Sequence, residues 1–133
     1  MNVKQLGSID EQYICFAISP ENSIRPAQLE ITKLRSGEWF VNRLIVPQDR
    51  RGQGLAKALL SALTAWADKE SQKLILIINA YGDLNKEQLR ALYERFGFRE
   101  IGKIQCRQPK VSADINNLTL IRENVKNRTN TLC

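Results

Sequence analysis

Apolar and polar positions change period several times along the chain. Residues 13–18 (Tyr13, Ile14, Cys15, Phe16, Ala17, Ile18) form an apolar, strand-like segment. A turn cluster follows from Ser19 and Pro20 to Ser23. Leu29 and Ile31 alternate with polar neighbours within residues 27–33, the pattern of a half-buried strand. Ser36 and Gly37 signal a hairpin. Residues 39–46 then return as an apolar run broken only by Asn42 and Arg43. Together these segments predict an antiparallel meander. No convincing amphipathic helix precedes residue 50.

The period then becomes helical. Leu55, Leu59, Leu60, Leu63 and Trp66 share one face, with alanines filling in, which predicts a helix over residues 55–69 with a core-facing stripe. Leu74, Ile75, Leu76, Ile77 and Ile78 form a continuous apolar run, a fully buried strand. Strand, helix and strand make a βαβ unit, so the two strands should be parallel neighbours with a right-handed crossover. Asn85 with Gln88 resembles a capping box, and Leu89, Leu92, Tyr93 and Phe96 line one face of the helix that follows. Gly97 suits the stop position of that helix. Residues 98–104 predict a strand kinked at Gly102, and residues 117–121 a last strand. The polar stretch 122–133 is expected to fray. With 133 residues, the chain is read as a single domain over residues 1–133.

Composition narrows the chemistry. There is no histidine, which excludes Ser-His-Asp and Cys-His catalysis. Cys15, Cys106 and Cys133 are odd in number and far apart, so neither a disulfide framework nor a metal site is expected. The net charge is +6, of which six Lys/Arg against two Asp/Glu in residues 103–133 contribute +4. Such a balance could attract an acidic partner, but a solvated basic surface is the commoner meaning. The few aromatic residues fall in core patterns and offer no base-stacking platform, which argues against nucleic acid. No run approaches the roughly 18 apolar residues of a membrane span, and the first residues lack an apolar signal core. A cytoplasmic location and no membrane partner are the expectations.

The candidate chemistry lies where the central strand meets the long helix. Leu44, Ile45 and Val46 lead through Pro47 to Arg51, Gly52, Gln53, Gly54, Leu55 and Ala56. The unpartnered amides of a helix's first turn, with the helix dipole, favour phosphate. A Walker loop would need Lys and Ser/Thr after Gly54, and a dinucleotide fingerprint would need glycine at Lys57, so neither applies. The pattern Arg/Gln-x-x-Gly-x-Gly/Ala, matched by Arg51, Gly54 and Ala56, resembles the acetyl-CoA pyrophosphate loop of the GNAT superfamily of N-acetyltransferases. A second segment, Leu92-Tyr93-x-x-x-Gly97-Phe98, resembles the end of that family's fourth helix.

The resemblance covers about half of the chain. It implies an α/β (α+β) fold with a mixed, splayed β-sheet, flanking helices, an N-terminal antiparallel meander and a central β-α-β-α-β unit. It also implies an acetyl-CoA-dependent N-acetyltransferase acting on a primary amine, with a protein lysine or N-terminus as a candidate acceptor. Residues 51–56 would hold pyrophosphate, Leu44, Ile45 and Val46 the pantetheine arm, and Tyr93 would act as the acid for the leaving thiolate. A phenol with its ordinary pKa of about 10 is protonated at neutral pH, as an acid must be. Asn79 and Asn85 are further candidates for pantetheine contacts. The sequence departs from the family in three ways. Asn85 stands one position too early for the family's asparagine, and Leu89 occupies the place of a small residue. Residues 19–38 look too short for the two helices usual there, and the second half of the central strand lacks a carboxylate. Glu38 and Asp83 read as solvated turn residues. The alternative reading is a non-catalytic GNAT-like module binding CoA, a protein or nucleic acid. Open sheet edges leave a homodimer available.

Overall fold

A computed structural model of the chain describes residues 2–19, 25–79 and 85–110. Among these residues, seven strands and two α-helices follow in the order β1 (Val3–Leu6), β2 (Tyr13–Ile18), β3 (Ala27–Lys33), β4 (Trp39–Ile45), α1 (Leu55–Lys69), β5 (Leu74–Leu76), α2 (Lys86–Arg95), β6 (Arg99–Ile101) and β7 (Ile104–Arg107). The strands form one mixed sheet in the order β1-β2-β3-β4-β5-β7-β6. The first four are an antiparallel meander, and β4 and β5 are parallel, as the βαβ pattern predicts.

Alternation decides which face of the meander is covered. Ile14, Phe16 and Ile18 on β2, Ala27, Leu29 and Ile31 on β3, and Trp39 and Val41 on β4 are all buried. Leu55, Leu59, Leu60, Leu63 and Trp66 on α1 are buried in the same cluster, as their spacing predicts. Trp66 meets Trp39 edge to face at 5.2 Å and Phe16 at 6.3 Å. Each such pair adds about 1 kcal/mol beyond area burial. The Trp39 indole N–H donates to Gln72 Oε1 at 3.2 Å, which satisfies its one polar atom in a side chain with no solvent exposure.

Two features position the site. The pairing of β3 with β4 shifts register between Glu30 and Ile31, so Asn42 is an extra residue opposite neither. Such a bulge bends and twists its strand. Beyond it, β4 keeps its pairing with β3, whereas β5 pairs only with Trp39 and Phe40. The second half of β4 therefore has an edge that β5 does not cover.

Several expectations need correction. The strand beginning at Leu74 ends at Leu76 rather than Ile78, and Ile77 is half exposed beside the splay. The single kinked strand over residues 98–104 is a hairpin: β6 and β7 pair antiparallel, and Gly102 turns the chain at φ 63°. Strand β1 carries mostly exposed side chains, so it left no hydrophobic signal. Glu38 is buried rather than solvated; its carboxylate accepts from the Ser36 hydroxyl and lies 3.9 Å from Lys73 Nζ. Cys106 is disulfide-bonded, which the cysteine spacing did not anticipate, while Cys15 is a buried free thiol. Asp83 and the strand expected over residues 117–121 lie outside the described residues.

Candidate active site

The chain leaves β4 through Pro47 and a 3-10 turn at Gln48–Arg50. Gly52 and Gly54 then take left-handed dihedrals, φ 82° and 77°, a region that β-carbon-bearing residues occupy at a cost. Gly54 is the N-cap of α1 and has no side chain with which to cap it; the first turn also holds no acidic residue. Hence the amides of Leu55, Ala56 and Lys57 meet a positive helix end without a side-chain acceptor. Two arginines brace the loop. Arg50 donates to the carbonyls of Ile18, Arg25 and Ser19 at 3.2–3.5 Å, tying the loop to the end of β2. Arg51 Nε donates to the Val46 carbonyl at 3.1 Å.

The second motif has a capping explanation. Phe98 N–H donates to the Tyr93 carbonyl and Gly97 N–H to that of Glu94, the paired bonds of a Schellman motif. Gly97 supplies the left-handed residue at φ 93°. Tyr93 and Phe98 supply the apolar contact that accompanies the motif, with rings 5.7 Å apart. The Tyr-x-x-x-Gly-Phe spacing is thus what this helix ending requires, and it fixes the Tyr93 ring. At the other end of α2, Asn85 and Gln88 form the expected capping box, at 2.8 and 2.9 Å.

Between these elements lies a cleft of about 460 Å³. It is lined by β4 and its exit (Val41 to Val46), by the loop and first turn of α1 (Arg51, Gly52, Gly54, Leu55, Ala56, Lys57), and by Leu76, Ile77 and Asn79 after the splay. Leu89, Leu92 and Tyr93 of α2 close it. Of the residues singled out in the sequence, Leu44, Ile45, Val46, Arg51, Gly52, Gly54, Leu55, Ala56, Asn79 and Tyr93 line this cleft. Gln53 is exposed and Asn85 is engaged in its cap; neither lines the cleft. The sequence reading missed Arg43, Lys57 and Ile77. The available signal was a charge inside an apolar strand for Arg43, and adjacency to the phosphate loop for Lys57.

The donor set suits a diphosphate ester with a long neutral arm. Two cations, Arg51 and Lys57, stand with the uncapped amides at one end. A β-carbon on Gly52 or Gly54 would meet nothing within 4 Å, so there is open space above the loop. Past the loop, the uncovered edge of β4 offers backbone groups to amides, and Tyr93 stands among apolar side chains farther along. Among the described residues lining the cleft there is no carboxylate. Neither is there a group of His, Cys, Asp or Glu able to hold a metal among the described residues.

A splayed mixed sheet with an uncapped helix end at its opening can be compared with known proteins. The family model of the acetyltransferase (GNAT) domain matches residues 11–100. An acetyltransferase of Agrobacterium fabrum is 34% identical over 105 residues, which cover 77% of this chain and 71% of the relative. The chain belongs to the GNAT acetyltransferase family. Among solved structures, the ribosomal-protein-S18-alanine N-acetyltransferase of Escherichia coli shares the fold at TM-score 0.63 and 21% identity, over 79% of this chain and 74% of that one. The anti-CRISPR protein AcrVA5 aligns at TM-score 0.52 and 14% identity, over 69% of this chain and 96% of that one.

Proposed function

We propose that the protein transfers an acetyl group from acetyl-CoA to a primary amine. The observation that carries this reading is the continuity of the cleft: an uncapped, cationic helix end, then an uncovered strand edge, then a tyrosine. Arg51, Lys57 and the first-turn amides of α1 would hold the pyrophosphate. The backbone of Leu44, Ile45 and Val46 would pair with the pantetheine amides, and Asn79 stands beside that path.

Acetyl-CoA supplies an acyl thioester when bound. Attack by a neutral amine forms the N–C bond and breaks the C–S bond. Tyr93 would give its phenolic proton to the departing sulfur, while the amine's proton leaves to water. Among the described residues the cleft lining holds no carboxylate, and in this reading the amine arrives unprotonated or gives its proton to water. An accessible acceptor side fits a protein amine: β2 and β3 pair directly at Ile18 and Ala27, leaving only residues 19–26 to connect them.

Calorimetric titration with acetyl-CoA, CoA and ATP tests the reading. We expect acetyl-CoA and CoA to bind at one site and ATP far more weakly. Absence of acetyl-CoA binding would overturn the proposal.

A further inference from the structure

We propose that the amine acceptor carries a carboxylate close to its amine, and that Arg43 recognises it. This rests on the acetyltransfer reading and deepens it.

Arg43 lies on β4 immediately after the bulge at Asn42. Its side chain is exposed and lines the same cleft as Tyr93. The bulge resets the alternation: Arg43 falls opposite Glu30, while Leu44 falls opposite the buried Leu29. A cross-strand ion pair with Glu30 would be the ordinary structural use of such an arginine. It is not made: among the described residues the Arg43 side chain has no ion pair and no hydrogen bond.

The bound donor does not account for this charge. Its anionic groups belong at the α1 end, where Arg51, Lys57 and the helix amides gather. The arm running along β4 is neutral. A neutral ligand closing over Arg43 would strip water from a guanidinium and return nothing, an unfavourable exchange. The other occupant of the cleft is the acceptor. A carboxylate on that molecule could take both N–H bonds of the guanidinium fork, the strongest pairing an arginine makes. The same lining works against a lysine-rich acceptor, since with Arg51 and Lys57 engaged by the donor it still presents Arg43 and, among the described residues, no acid.

The carboxylate could come from an Asp or Glu side chain next to a peptide amine, or from the α-carboxylate of a free amino acid. The experiment separates these sources. Initial rates of acetyl transfer are measured for short peptides differing only in Asp, Gln or Lys beside the N-terminal residue, and for free amino acids beside their amides. We expect kcat/KM about tenfold or more higher for the carboxylate member of one series, the effect of one charge-assisted hydrogen-bond pair. Arg43→Gln should abolish that preference through KM for the acceptor, while leaving KM for acetyl-CoA in place. Arg43→Lys should restore part of it, since charge returns without the fork. Equal rates for acidic and neutral acceptors, persistence of the preference in Arg43→Gln, or a loss expressed in KM for acetyl-CoA would each overturn the inference. If acetyl-CoA binds but no acceptor turns over, fluorescence-anisotropy binding of labelled acidic and neutral peptides to the acetyl-CoA complex decides, and equal affinities overturn it. Failure to bind acetyl-CoA removes the functional reading itself.

Discussion

One substitution at Tyr93 separates its structural part from its proposed one. Its backbone and ring end α2, and in the proposed reaction its hydroxyl would supply the acid. Tyr93→Phe keeps the ring against Phe98, so the helix ending should survive. We expect kcat to fall by about 100-fold or more, the usual worth of a positioned acid, with calorimetric affinity for CoA unchanged. An unaltered kcat would reduce Tyr93 to a packing residue; absence of turnover in the parent protein would favour the non-catalytic module. Asn85 offers the converse case. Its side chain is committed to the capping box, outside the cleft lining. Asn85→Ala should cost about 1 kcal/mol of stability in a denaturation curve without weakening CoA binding.

At the scale of elements, two glycines with similar dihedrals do different work. Gly54, at φ 77°, opens α1, and a β-carbon there meets only open space at the cleft. Gly97, at φ 93°, closes α2, and a β-carbon there would lie 3.2 Å from Arg107 Nε. Both alanine variants bear the left-handed strain of about 1–2 kcal/mol. Gly97→Ala should lower the melting temperature further, because Arg107 must shift away from the Phe96 carbonyl to which it donates at 2.6 Å. Gly54→Ala should instead weaken acetyl-CoA binding more, because its methyl group enters ligand space. Parallel melting and titration curves test the crossed pattern; equal effects on both properties would refute it.

Across the whole molecule, Arg107 joins β7 to both helices. Its guanidinium is almost fully buried, holds Asp68 of α1 bidentately at 2.8 and 3.0 Å, and caps α2 through Phe96. Burial pushes the Asp68 carboxyl up, but hydrogen bonds from Arg107 and the Lys110 amide outweigh it, and the net displacement is downward. A carboxyl depressed in the folded state contributes stability above its unfolded pKa of about 4. That contribution disappears as pH falls through the lower folded value. We therefore expect acid unfolding of the parent protein below about pH 4 to include this group. Asp68→Ala should flatten that part of the stability profile. At neutral pH it should cost about 3–5 kcal/mol, because a buried guanidinium loses its partner. Chemical denaturation at several pH values measures both effects.

Much of the architecture is legible in one dimension because its causes are local. The α1 stripe from Leu55 to Trp66, the Asn85–Gln88 box and the Gly97 stop involve residues a few positions apart, and periodicity or capping reports them directly. The glycine loop is legible for the same reason: Gly52, Gly54 and the α1 amides are contiguous. Strand β1 was hidden because its pairing is made by backbone groups, which leave no apolar pattern on exposed side chains. Gly102 read as a kink because a glycine with φ above zero fits either a bend or a tight hairpin, and only the pairing of β6 with β7 decides. The burial of Glu38, the Asp68–Arg107 pair and the placing of Arg43 and Tyr93 along one cleft depend on segments tens of residues apart. By itself the sequence determined the two helices, their caps and the strands β2 to β4. The tertiary structure alone decided where β4 and β5 part, and hence which side chains face the cleft, because that separation follows from a bulge in long-range strand pairing.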